Sequence, residues 1–343
     1  MMRTAIVAAF ALTVALTGTA LTGTWIPGAT QAPSARSVPA MPPVAKTAPR
    51  ILEAHGQLRV DEYYWLRDKN DPDVIAYLNA ENAYAAARLA RLDPLIAELR
   101  SELRSRTEFA DASPPYVDSR YIYRRRIAKG ASHPLIVRHR DIPGAAEQVV
   151  LDVERLAAGH KHYELEDYIV SPDGNSVAFA ADLTGGRMHR IFIRNIATGA
   201  VTDTGIKDAA SDLVFSADSQ WLFYIRVDPA TVRSHQLWRH AIGKPGVPDQ
   251  LLYEETDPTF DLQLARSKSG KFVLLNISQQ QSSEVRYLRS DLPLEPLRIL
   301  ERRRTGVVYD ADHIADTFYI RTNLDAPDFR VMRAPQDLSL IHI

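Results

Sequence analysis

Two serines stand in partial nucleophile elbows. Gly130-Ala131-Ser132-His133-Pro134 and Gly174-Asn175-Ser176-Val177-Ala178 each place a glycine two residues before a serine. Neither has the second glycine that leaves room for substrate at a strained strand-to-helix turn. The first ends in proline and the second runs into a strand, so both read as loop or hairpin serines. Ser132 and His133 are adjacent, and neighbours on a loop rarely point so that one deprotonates the other. His160 and His162 flank Lys161. Two imidazoles at that spacing could share a strand face and a metal, but no third ligand is indicated and Lys161 opposes a cation. A solvated loop is the better reading. No His-Glu-x-x-His, phosphate loop or dinucleotide glycine pattern occurs, so no catalytic residue, cofactor ligand or metal ligand is expected in this chain.

What remains is electrostatic. Glu164, Glu166 and Asp167 form an acidic cluster near Tyr163, able to draw in a basic peptide if it faces a cavity; solvated surface charge is the competing reading. Arg124-Arg125-Arg126 and Arg302-Arg303-Arg304 read as strand ends or loops with exposed guanidinium groups. Tyr63, Tyr64 and Trp65 read as packing anchors, since aromatics bury large area and keep a polar handle, with an apolar patch left exposed around them.

The elements that must position these residues fall into two kinds. Asp71-Pro72 suits a helix N-cap and first turn, and Asp93-Pro94 repeats the signal. Val74, Tyr77, Leu78 and Ala85 keep one face apolar, as do Leu95, Ile96, Leu99 and Leu103. From about Tyr116 the period changes from helical to two. Ser171-Pro-Asp-Gly with Val177-Ala-Phe-Ala, Ser216-Ala-Asp-Ser with Trp221-Leu-Phe-Tyr, and Ser267-Lys-Ser-Gly with Phe272-Val-Leu-Leu recur every ~45–50 residues, the spacing of four-stranded propeller blades. An earlier copy pairs Tyr121-Ile-Tyr-Arg with Leu135-Ile-Val-Arg, and a later one begins at Thr317-Phe-Tyr-Ile. The fold class expected is mainly β: four to five blades of an incomplete β-propeller after an N-terminal helical segment.

The chain of 343 residues is 45% hydrophobic and 24% charged, and its net charge of -1 offers no field for nucleic acid or an anionic membrane. It has no cysteine, which excludes structural disulfides and a thiol nucleophile. Between Arg3 and Arg36 there is no charged residue. The apolar run there, diluted by threonine and glycine, reads as a cleaved signal peptide rather than a stable membrane span. The expected organisation is a signal peptide over 1–35, a Pro/Ala/Ser-rich linker over 36–49, helices over 50–112, propeller over 113–335 and a fragment end over 336–343. The expected location is outside the cytoplasm, periplasmic or secreted.

His55-Gly56, Arg59-Val60-Asp61, Tyr63-Tyr64-Trp65-Leu66-Arg67-Asp68, Tyr77-Leu78 and Glu81-Asn82-Ala83-Tyr84 resemble the start of the prolyl oligopeptidase family of serine peptidases. Trp221-Leu222-Phe223-Tyr224, Leu237-Trp238-Arg239-His240, Leu252-Tyr253-Glu254-Glu255 and Ser283-Glu284-Val285-Arg286 resemble its propeller, with oligopeptidase B the nearest likeness. The resemblance implies a seven-bladed propeller cut short and an absent C-terminal α/β-hydrolase domain that carries the serine, aspartate and histidine. It implies cleavage of short peptides after Lys or Arg by the full-length enzyme, a propeller that filters substrate, and no activity from this chain alone. Glu164 and Glu166 would contact the basic substrate. Two alternatives are a non-catalytic exported propeller that binds peptide or protein, and a fragment of a post-proline-specific enzyme.

Overall fold

The computed structural model describes residues 41–107 and 110–337. The signal peptide expected over 1–35 lies outside the described residues, as do residues 36–40 of the linker and 338–343 of the fragment end. The chain divides into two compact units, one ending at Thr107 and the other running from 108 onward.

The first unit opens with an antiparallel hairpin, β1 (Arg50–Ala54) and β2 (Gln57–Asp61), where helices were expected. His55 and Gly56 turn it with φ of 54° and 72°, a left-handed pair that suits a two-residue hairpin. Helix α1 (Pro72–Leu89) starts as its sequence implies, with the Asp71 carboxylate accepting from the Asp73 amide at 2.8 Å. Its inward stripe is Val74, Tyr77, Glu81 and Tyr84, whereas Leu78 is exposed. Asp93 does not cap α2 (Asp93–Arg106): a single 3-10 turn joins the two helices, Leu92 before it is already helical, and Asp93 is the first helical residue. Leu95, Ile96, Leu99 and Leu103 on α2 are exposed. Lys46 to Ala48, expected within a free tether, are held to this unit. Trp65 donates its indole N–H to the Lys46 carbonyl at 2.9 Å, and Ala48 donates to the Glu62 carbonyl at 2.8 Å. A half-buried indole needs an acceptor, and the nearby backbone supplies it. Tyr63 is exposed while Tyr64 and Trp65 are half-buried.

The second unit is a run of antiparallel sheets, each built from consecutive strands. The first is β3 (Tyr116–Asp118), β4 (Tyr121–Arg126), β5 (Leu135–Arg140) and β6 (Gln148–Asp152), followed by the short helix α3 (Val153–Ala157). The second is β7 (Glu164–Val170), β8 (Ser176–Asp182), β9 (Arg190–Asn195) and β10 (Val201–Asp203). The third is β11 (Ala209–Phe215), β12 (Trp221–Val227), β13 (Ser234–Ala241) and β14 (Gln250–Glu254). The fourth is β15 (Asp261–Arg266), β16 (Phe272–Gln279), β17 (Ser282–Arg289) and β18 (Arg298–Glu301). A three-stranded sheet of β19 (Tyr309–Ile314), β20 (Thr317–Thr322) and β21 (Arg330–Pro335) comes last. Ala112 bridges Arg126 and the Ser113 amide bonds to the Arg125 carbonyl, so residues expected to end the helical segment at 112 belong to the first blade.

Period-two side-chain alternation makes a blade a two-faced object. Along β12, Leu222 and Tyr224 pack with Ala178, Ala180 and Ile191 of the second blade. Phe223 and Ile225, on the opposite face, pack with Val273, Leu275 and Ile277 of the fourth. Strand β8 does the same with Phe179 towards the first blade and Ala178 towards the third. Second strands are thus buried on both sides, at ~1.5–3 kcal/mol per large side chain, and no blade is stable without neighbours.

The repeated turn has one mechanism in three copies. The hydroxyl of Ser171, Ser216 and Ser267 accepts from the backbone N–H five residues on, at 3.0 Å each time. Turns also touch the next blade, as when the Asp173 amide donates to Ser219 Oγ at 3.2 Å. Arginines pin the same seams. Arg138 of β5 lies over the Tyr121 ring at 4.0 Å, bonds Gln148 on β6 and reaches the Gly174 carbonyl of the next blade at 2.6 Å. Arg239 of β13 repeats the device over Trp221, bonding Gln250 and the Pro293 carbonyl. No helix among the described residues is long and apolar enough to cross a membrane.

Candidate functional site

First strands of the second, third and fourth blades pack side by side, β7 against β11 and β11 against β15. Strand β7 carries the acidic cluster, and its register is broken there. Leu165 pairs with Ala181 and Asp167 with Ala180, which leaves Glu166 as the extra residue of a β-bulge. Bulges re-aim side chains. Here the bulge lets Glu164, Glu166 and Asp167 line one cleft of about 560 Å³, walled by Arg125, His133, His162, Tyr163 and Tyr168 at the junction of the first two blades.

Both expected substrate-contacting residues, Glu164 and Glu166, are therefore exposed in the same cavity. Asp167, the third carboxylate of the cluster, lines the same cavity. Burial raises its carboxyl above the ordinary range, and the charges of Asp212 and Glu166 push the same way against a hydrogen bond from the Tyr168 amide. Asp212 on β11 is also raised by burial, although the Leu264 amide of the fourth blade donates to it at 3.0 Å. Asp167 and Asp212 each stand four residues before the turn serine of their blade, and the fourth blade has Gln263 there. That repeat-position match was the available signal.

The cleft walls are held from several elements. The backbone amides of Ser132 and His133 donate to Glu154 at the start of α3, at 3.0 and 2.8 Å, which orders the β4–β5 loop. Tyr163 is buried beneath His133 and His160, with ring centroids 6.3 and 5.4 Å away, and burial pushes its phenol up to about 12. His162 leans towards Glu164 with 3.9 Å between Nε2 and Oε2, and rests on Gly185 of the β8–β9 turn. Tyr116 and Tyr168 join the first strands of blades one and two through hydroxyls 3.0 Å apart.

His160 and His162 face different partners: one lies tilted against Tyr163 and the other sits over Gly185. No three His, Asp or Glu side chains among the described residues are grouped to hold a metal ion. Ser176 begins β8, and its amide is bonded to the turn serine Ser171. The arginine runs divide. Arg126 makes an exposed bidentate pair with Glu147, whereas Arg303, expected to be exposed, is folded onto Phe260 and bonded to the buried Glu255. A serine–histidine hydrogen bond that sequence did not reveal joins Ser269 Oγ and His313 Nδ1 at 2.8 Å. That imidazole is fully buried between Phe272 and Phe318, out of reach of any substrate. A second cleft, of about 500 Å³ beside β17 and β21, is lined by Arg289, Arg298 and Asp316, which are already paired with Asp291, Glu295 and Lys271. The acidic cleft is the stronger candidate.

The described sheets also match known proteins. Residues 42–339 match the N-terminal β-propeller domain of prolyl oligopeptidase. The chain belongs to the prolyl oligopeptidase family. It is 38% identical over 323 residues to dipeptidyl aminopeptidase BI of Pseudoxanthomonas mexicana, covering 89% of this chain and 44% of that protein. Protease 2 of Moraxella lacunata is 31% identical over 309 residues, with 87% and 44% covered. Among solved structures, oligopeptidase B from Leishmania major superposes with a TM-score of 0.79 at 28% identity, over 88% of this chain and 45% of that one. Oligopeptidase B from Trypanosoma brucei gives 0.76 at 28% identity. The family member described here thus spans less than half the length of these relatives.

Proposed function

We propose that this chain is the substrate-filtering propeller portion of a serine peptidase like oligopeptidase B, and that the whole protein cleaves short peptides after Lys or Arg. The observation that carries this reading is the bulge at Glu166, which aims three carboxylates from one strand into a single cleft. A cationic side chain entering there meets Glu164 and Glu166 first, with Tyr163 and Tyr168 to pack its aliphatic stem. Arg125 on the same wall limits the net charge and favours one cation over several. The nucleophile, base and oxyanion donors would come from an α/β-hydrolase domain, as the likeness to oligopeptidase B suggests; Ser176 is tied by its amide to the blade turn at the start of β8. The chain alone would be inactive. We also propose export, on the signal pattern over residues 1–35.

The test uses the full-length peptidase. Charge reversal at Glu164 and Glu166 together is expected to raise KM for a Lys or Arg peptide about tenfold with kcat unchanged, since two partly exposed ion pairs at ~0.5–1 kcal/mol each amount to that factor. A neutral peptide should be unaffected. Unchanged KM for the basic peptide sinks the reading.

The likeness to a dipeptidyl aminopeptidase favours a second reading, in which the cation received is the α-ammonium of a peptide's free amino terminus. N-acetylation separates the two. Loss of turnover on acetylating a basic peptide supports the amino-terminal reading, and retained turnover supports the side-chain reading.

A further inference from the structure

A buried histidine lies at the seam between the fourth and fifth blades. His313, on β19, is fully buried. Phe272 of β16 and Phe318 of β20 enclose its ring, with centroids 4.7 and 4.8 Å away and near-perpendicular planes. Nδ1 is joined to Ser269 of the fourth-blade turn. Among the described residues Nε2 has no hydrogen-bond partner, and it is shielded from solvent. Either neutral tautomer can satisfy Nδ1, as acceptor or as donor to the serine hydroxyl. The imidazolium has two donors, and the second would lie against aromatic carbon with nothing to accept it.

The charges around the ring do not relieve that cost. Lys271, on the fourth-blade side, opposes a second cation. Asp316 is turned to Lys271, its carboxylate 2.7 Å from the ammonium, and Asp312 accepts from the Lys268 and His313 amides. Tyr287, which also touches this cluster through Phe272 and Phe318, is raised by burial and stays neutral in acid. Burial and Lys271 hold the imidazole below its ordinary value against the weaker pull of Asp316 and Asp312.

The same residues join the two blades. The Ser269 amide donates to the His313 carbonyl at 2.9 Å, the Lys268 amide reaches Asp312 at 2.8 Å, and Lys271 Nζ reaches the Ala315 carbonyl at 3.0 Å. We propose that this seam is an acid-sensitive hinge, closed while His313 is neutral and loosened when its ring takes a second proton. The direction follows from linkage. A base that is harder to protonate in the folded state contributes stability that is complete above its unfolded value near 6.5, and that is lost as pH falls below it.

Amide hydrogen exchange on the full chain tests this at pH 7.5 and 5.0, after correction for intrinsic rates. Amides of β16, β19 and their connecting turns should lose protection at least about tenfold more than β12 and β13 of the third blade, because below the unfolded value near 6.5 protons bind the opened seam in preference to the closed one. His313→Gln, which cannot titrate, should abolish the difference. Equal loss in both blades of the wild type overturns the proposal, and so does a pH response that survives in the variant. If the variant does not fold, the NMR titration of His313 in the wild type decides. A ring that titrates at an ordinary value with the seam amides still protected overturns it, and one still neutral at pH 6, with the seam opening as it protonates, supports it.

Discussion

Replacing Arg303 by methionine is expected to cost this chain ~3–5 kcal/mol of folding stability, the usual cost of leaving a buried ion without its partner. Two carboxylates converge on this guanidinium, and each side chain is only 5% exposed. Arg303 Nη2 lies 2.6 Å from Glu255, its Nε is 3.6 Å from Glu284, and the plane stacks on Phe260 at 4.2 Å. Glu284 keeps a second partner, Arg286 at 2.7 Å, which itself lies over Tyr253. Glu255 does not: among the described residues, the Tyr253 hydroxyl at 2.7 Å and the Asp257 amide at 3.0 Å remain to it. Methionine restores the apolar contact with Phe260 and removes the charge, so the deficit measures the orphaned glutamate rather than a cavity.

The effect carries a pH signature. Burial pushes the Glu255 carboxyl up, but Arg303, Tyr253 and the Asp257 amide together hold it below the ordinary range. Its contribution is therefore present above the unfolded value and is lost as pH falls through the depressed folded one. The gap between wild type and Arg303→Met, read from urea midpoints, should be widest near neutrality and should narrow towards pH 4. A variant within 1 kcal/mol of wild type at pH 7 would show that the brace is ornamental.

That brace also shows what the sequence conceals. Arg302-Arg303-Arg304 reads as three solvated charges because its partners lie far along the chain, Glu255 on the third blade and Glu284 on the fourth. No local rule distinguishes Arg303 from Arg304, which pairs at the surface with Glu301. Blades were legible for the opposite reason. The turn serine bonds within five residues of itself, so its mechanism is written in adjacent letters, and the buried second strands show as unbroken apolar runs. The hairpin at 50–61 was missed because both its faces are largely exposed, which removes the alternation that marks a strand. The acidic cleft was half legible. Charge and position pointed to the cluster of Glu164, Glu166 and Asp167, but only the register shows the bulge that brings all three to one cleft.

The second large effect concerns a carboxylate that shapes this cleft without lining it. Asp182 ends β8, is 3% exposed, and accepts from the Thr184 amide at 2.8 Å, the Thr184 hydroxyl at 3.1 Å, the Gly185 amide at 2.9 Å and the Arg187 amide at 2.8 Å. Burial alone would push its carboxyl up; these donors outweigh burial and hold it down to about 2. Asp182→Ala leaves four donors in a tight turn with no acceptor, and at ~1.5–3 kcal/mol for each bond to a charged group, partly recovered by water, a loss of about 3 kcal/mol is expected. Asp182→Asn keeps the shape and one acceptor oxygen and should lose roughly half as much. The charge-dependent part of the wild-type contribution is complete above the unfolded value near 3.9 and is lost as pH falls through the folded value of about 2, so acid should narrow the difference between wild type and Asp182→Ala towards that between Asp182→Asn and Asp182→Ala. Gly185 in this turn, at φ 79°, is the surface on which His162 rests. Release of the turn frees the imidazole beside Glu164. If the proposed basic-peptide function holds, Asp182→Asn in a full-length enzyme carrying this propeller should therefore raise KM for a basic peptide while leaving kcat intact, even though residue 182 does not line the cleft. A stability loss with KM unmoved would separate the turn from the cleft, and would leave the bulge at Glu166 as the sole device that aims the carboxylates.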